Sequence, residues 1–216
     1  RMFLADEGSH HARYWQGLTR TELFGTLETE WVNLRDILYR LHEDGAHREL
    51  LGLGLPLVHL LNYLGPWPER LMLCRWMAES ARALEDGVEA WLLIDGLGWI
   101  LLREGQYDDL LDVLNNGRRV AGKHADLETA LILADAHEAY VHIRQGHIDR
   151  ARQLLERADA RLAQYEAAVG VDPIRDVVAS RVGDRWVRVF QAEGDLKRAR
   201  ELNRRSLSLK RTIGED

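Results

Sequence analysis

The 216-residue chain carries 29 basic and 35 acidic side chains for a net charge of −6, with 46% hydrophobic and 30% charged residues. That is an ordinary soluble composition, long enough for one sizeable core or one extended array of repeats. The single cysteine, Cys74, excludes an internal disulfide and argues against a cysteine-built zinc site, so a reducing, cytoplasmic setting is the simplest expectation.

Residues 1–46 read as an N-terminal helical lead-in. The opening RMFLADEGSHH has too short an apolar stretch for a signal peptide. It also lacks Met at position 1, which suggests a fragment of a longer protein. No run of about 18 apolar residues occurs, so no membrane-spanning helix is expected. From Gly45 onward the chain is punctuated by glycines at 17- to 24-residue intervals, through Gly65, Gly87, Gly105, Gly122, Gly146, Gly170 and Gly194 to Gly214. Between them the apolar residues follow helical spacing. Tyr107, Leu110, Leu111 and Leu114 form one stripe, and Ile148, Ala151, Leu154, Leu155, Ala158 and Leu162 another. No strand alternation appears. A glycine just past a helix is expected because it enters the left-handed conformation without a Cβ clash. Start signals agree: Asp126 precedes one helix pattern, and Asp172-Pro173 supplies an N-cap followed by proline at the first helical position.

The segment GRRVAGKH, Gly117 to His124, has the glycine and lysine spacing of a phosphate-binding loop. It follows an amphipathic helix rather than a strand, and His124 stands where a magnesium-binding Ser or Thr is needed. Gly122 is therefore expected to be a helix stop, and no nucleotide or other cofactor is expected. The nine histidines do not assemble a metal site on this reading. His137 and His142 are five apart, so about 140° separates them around a helix. Asp108, Asp109 and Asp112 suit a helix N-terminus. No nucleophile–base grouping is present, and the chain is not expected to be an enzyme.

The turns at Gly65, Gly105, Gly146 and Gly194 are spaced 40, 41 and 48 residues apart. Their surroundings match: LLNYLGPWPERL, WILLREGQYDDLL, YVHIRQGHIDRAR and VFQAEGDLKRAR. In IDGLGWILLREGQYDDLLDVL, Leu97-Gly98, Gly105 and Tyr107 fall at positions characteristic of tetratricopeptide (TPR) repeats, which this region resembles. Ile94, Leu101, Leu110 and Leu114 replace the usual Trp, Tyr, Ala and Phe, while Ala151, Ala158 and Ala199 keep the small positions. The periods exceed the standard 34 residues, and the closing proline is missing. The resemblance implies an all-α fold of antiparallel helix hairpins stacked as a right-handed α-solenoid. Its four pairs fall at about 47–87, 88–122, 125–170 and 172–214. It also implies close helix approach at Gly98.

SHHARYW followed by LETEWVNLRDIL resembles the helical linker between ATPase core and repeats in STAND-class signalling ATPases, such as NB-ARC regulators and MalT-like activators. That resemblance implies a non-catalytic sensor or scaffold arm that binds a protein or peptide and works with an upstream ATPase domain. The alternative is a small-molecule effector sensor of the MalT-like kind. Within the TPR resemblance, the first helix of each pair lines a groove. The groove residues are then His59, Tyr63, Asp95, Trp99, Arg103, Tyr140, Arg144 and Arg188, with Leu55, Asn62, Leu102, Ala136, Ile143, Asp184 and Gln191 beside them. Aromatic and arginine residues are favoured at binding hot spots, and converging arginines would suit an acidic peptide. Trp76, Trp91 and Trp186 are expected in the core. Residues 181–216 hold 10 basic and 6 acidic residues. A solvated helix face is preferred there over a nucleic-acid site.

Overall fold

The computed structural model describes residues 24–58, 61, 67–124, 126–170 and 172–213, and the described residues are helical with no strand. The helices are α1 (Phe24–Glu43), α2 (His47–Gly54), α3 (Trp67–Ala83), α4 (Val88–Trp91), α5 (Gly98–Glu104), α6 (Tyr107–Ala121), α7 (Glu128–Arg144), α8 (Ile148–Val169), α9 (Pro173–Ala192) and α10 (Leu196–Ile213). A π-helical segment, Leu92–Leu97, joins α4 to α5. No described helix is long and apolar enough to cross a membrane. The chain divides into two compact units at Ile100 and Leu101.

Glycines end helices where expected at Gly45, Gly105, Gly146, Gly170 and Gly194, whose φ angles lie between 64° and 91°. Two expected stops work differently. Gly87 sits at φ −60° as the residue before α4, and the left-handed residue after α3 is Glu85 at φ 54°. Gly122 follows α6 at φ −65°, in helical conformation. Gly65 and Gly214 lie outside the described residues. The GRRVAGKH segment is the end of α6 and the turn after it, so no strand precedes these glycines.

In the first unit α2 packs on α3, and α3 on the π segment. Leu50, Leu51 and Leu55 meet a core with Leu73, Met77 and the fully buried Trp91. The α2–α3 approach is tight at Gly54, where an added Cβ would make Met77 shift. A Cβ on Gly54 would stand 2.6 Å from Met77 Sδ and 3.4 Å from Leu73 Cδ1. At the next crossing, a Cβ on Gly96 would stand 3.0 Å from Cys74 Sγ. Trp76 is half-buried, stacked on His42 with ring centroids 4.7 Å apart, and it meets the edge of Tyr39 at 5.9 Å. It seals a seam between α1 and α3 rather than filling the core.

In the second unit α6 packs on α7, α7 on α8 and α9, α8 on α9, and α9 on α10. Leu110, Leu114, Leu133, Leu155, Val178 and Ala199 are among its buried residues. Ion pairs cross the seams. Asp135 of α7, 2% exposed, accepts from Arg118 of α6 at 3.0 Å and from both Nε and Nη2 of Arg157 of α8, at 2.8 and 2.6 Å. Arg118 also reaches Glu138 at 2.6 Å. Asp159 of α8 accepts from the Trp186 indole at 2.8 Å. Asp172 caps α9 as expected, accepting from the Arg175 amide and from the Tyr165 hydroxyl, both at 2.7 Å.

Candidate functional site

The residues expected to share one groove distribute between the two units. His59 and Tyr63 lie outside the described residues. Asp95 falls in the π segment and is 1% exposed, and Leu55 and Ala136 are fully buried. These three are core residues, so their placement on an open groove is corrected. Trp99 is half-buried beneath the Arg70 guanidinium, which stands 4.8 Å from its ring centroid. Arg70 itself is 1% exposed and donates from Nε to the Val58 carbonyl at 3.3 Å, while its Nη1 meets no hydrogen-bond partner among the described residues. Arg103 and Arg144 are exposed at the ends of α5 and α7.

Tyr140 and Arg188 do come together, and they bring a residue the sequence reading passed over. Tyr140 stands half-buried on α7. The Arg185 guanidinium lies 4.6 Å and the Arg188 guanidinium 5.2 Å from its ring centroid, both from α9. The electron-rich face of a phenol attracts such cations, and a guanidinium can stack flat on it. Arg181, Arg185 and Arg188 follow i, i+4, i+7 spacing, which sets them on one face of α9. That spacing was the available signal for Arg185; counting fixed positions back from Gly194 skipped it.

The electrostatics here are unbalanced. Burial pushes the Arg185 guanidinium down to about 10, with Arg188 and Arg181 adding repulsion and Asp184 opposing it. It remains a cation at neutral pH. Its Nε is buried with no hydrogen-bond partner among the described residues. Asp184, the adjacent carboxylate, is engaged by Ser206 Oγ and Lys210 Nζ, each at 2.5 Å. Asp184 is therefore a tie between α9 and α10 and not a groove residue. An unpaired, desolvated cation is costly, and an anion placed against it is favoured.

His137 and His142 sit in packed positions on α7. His137 is fully buried, and His142 lies 3.8 Å from Glu138. Among the described residues no three His, Cys, Asp or Glu side chains gather as a metal site. Cys74 is buried, and desolvation pushes its thiol up to about 11, with Arg70 opposing and Asp95 adding. A thiol so placed is protonated and unreactive at neutral pH. Comparison with protein-family models, curated proteins and solved structures returned no match.

Proposed function

We propose that this chain is a non-catalytic helical-repeat module that binds a protein or peptide, and that the Tyr140–Arg185–Arg188 cluster receives an acidic group of that ligand. The observation that carries the reading is Arg185, a desolvated guanidinium on an aromatic face with a buried Nε that no described residue satisfies. An incoming carboxylate or phosphate oxygen would supply the missing acceptor, and Arg188, exposed beside it, would supply a second fork. The repeat character is supported by the hairpins α7–α8 and α9–α10. In the second unit α9 packs on both helices of the preceding pair, as neighbouring repeats do when they stack. The TPR-like solenoid, and a role as the sensor or scaffold arm of a STAND-type regulator with an upstream ATPase domain, belong to the same proposal and rest on the sequence resemblance.

The test is a titration of the arginine Nε–Hε resonances with hexaglutamate peptide and, separately, with inorganic phosphate. Saturable shifts should be confined to Arg185, Arg188 and their neighbours. Arg185→Gln with Arg188→Gln should weaken binding at least tenfold, about 1.4 kcal/mol, with the thermal melt little changed. Uniform, non-saturating shifts across all arginines would refute the site.

A further inference from the structure

Two helix faces outside this cluster carry matching patterns. On α1, Glu28, Val32, Asp36, Tyr39 and Glu43 recur at i, i+4, i+8, i+11 and i+15. They form one stripe of alternating acidic and apolar side chains along about 22 Å of helix. Val32 is 59% and Tyr39 52% exposed, and the three carboxylates are exposed as well. Large apolar side chains this open, in line and framed by charge, mark an interaction face more than chance surface exposure does.

On α10, Leu196, Arg200, Asn203, Leu207 and Arg211 recur at i, i+4, i+7, i+11 and i+15. Leu196 is 55% and Leu207 45% exposed. Beside this stripe runs a groove of about 200 Å³, with Val187, Leu196 and Ala199 as its apolar lining and Gln191, Arg200 and Asn203 as its polar rim. That volume is below the range of small-molecule sites and suits one or two anchoring side chains. The helix holds seven basic residues against one acidic residue, Glu201. Arg200, Arg204 and Arg205 are exposed and make no ion pair among the described residues.

We infer that the α1 face of one copy of this chain docks in the α9–α10 groove of a second copy. Both halves of the contact are present in the one sequence. Val32 and Tyr39 enter the apolar groove, while Glu28, Asp36 and Glu43 meet the basic flank of α10. The charge difference favours this pairing over either face meeting its own copy. Net charge is −6 over residues 1–100 and zero over residues 101–216, where the seven cations of α10 concentrate the positive side. The contact is heterologous, because it joins two different surfaces of the chain. One helix in one groove is a small contact of the weak, transient kind.

Sedimentation equilibrium of the 216-residue chain tests this. At about 200 μM in 50 mM salt the weight-average mass should rise above 24.8 kDa, and 500 mM salt should reduce association several-fold. Val32→Glu with Tyr39→Glu removes the entering face, and Arg200→Glu with Leu207→Glu removes the receiving one. Each double variant alone should be monomeric, with association at least tenfold weaker. Mixed one to one, they should form a dimer and nothing larger, because one intact face of each kind remains. Circular dichroism confirms folding. If either double variant does not fold, Asp36→Lys and Arg200→Glu replace the pair, with the same mixing outcome expected. A monomeric wild-type chain at 200 μM, association unchanged by the variants, or variants that do not dimerise on mixing would each overturn the inference.

Discussion

Asp135 joins α6, α7 and α8 through one carboxylate, and Asp135→Ala measures what that junction contributes. The substitution removes three charge-assisted hydrogen bonds, one from Arg118 and two from Arg157. Such bonds contribute about 1.5–3 kcal/mol each when the partner is left stranded in the interior. Here the partners are not stranded. The Arg157 side chain is 49% exposed, and Arg118, 23% exposed, keeps Glu138. Removing the carboxylate also relieves its own desolvation. The net loss should therefore be about 2 kcal/mol, below the 3–5 kcal/mol of a fully buried broken pair. It should appear in urea as a lower midpoint at unchanged slope, and on heating as a fall of about 4–8 °C. A cycle with Arg157→Ala should give a coupling of about 1–2 kcal/mol. A single-variant loss under about 0.5 kcal/mol, or a coupling near zero, would show that the seam is held by its apolar contacts alone.

Cys74 should resist iodoacetamide at pH 8 at least a hundredfold better in the folded chain than in urea, since burial holds its thiol near 11; comparable rates would refute its burial. Gly54→Ala should cost about 1–3 kcal/mol by overpacking against Met77 and Leu73, and Met77→Ala in the same chain should be less harmful than the two losses added; strict additivity in thermal melts would count against the contact. His142 is held below its usual value chiefly by burial, with Arg150 and His147 adding and Glu138 opposing. The unfolded chain therefore takes up that proton first as pH falls. Stability from this residue should be full above about pH 6.5 and decline below it, and His142→Gln should flatten that part of the pH–stability curve; an unchanged slope would assign it elsewhere.

Much of the helix layout was legible in the sequence, because it rests on local chemistry. The turn signals in the sequence fall near the ends of α6, α8 and α10, at Ala121, Val169 and Ile213. Gly105, Gly146 and Gly194 adopt the left-handed turn that only glycine enters freely. Gly87 and Gly122 look the same in sequence but do not, because a left-handed residue is one of several ways to leave a helix, and Glu85 took that role after α3. The site was less legible. Counting positions back from a turn assumes a uniform helix, and the π segment Leu92–Leu97 breaks that assumption. Trp99, on the turn side of it, is partly open as expected, whereas Asp95, inside it, turned into the core. Ala136 and Asp184, on helices with no such break, also lie off an open groove, because spacing from a turn does not by itself set which face a neighbouring helix covers. Asp135 was not singled out at all, since its importance depends on arginines 17 and 22 residues away.

The π segment also bears on how this stretch tolerates changes in length. A π turn holds more residues than an α turn, so the run from Val88 to Glu104 contains slack that an ordinary helix lacks. A one-residue deletion within Leu92–Leu97 can be absorbed by tightening the turn to α geometry, leaving Trp91 and Leu101 on their original faces. The same deletion in the middle of α8 has no such reserve. It would swing every later side chain of that helix by about 100°, carrying Leu162 and Tyr165 off the core. Of the two long helical runs, the irregular one is the better place to lose a residue.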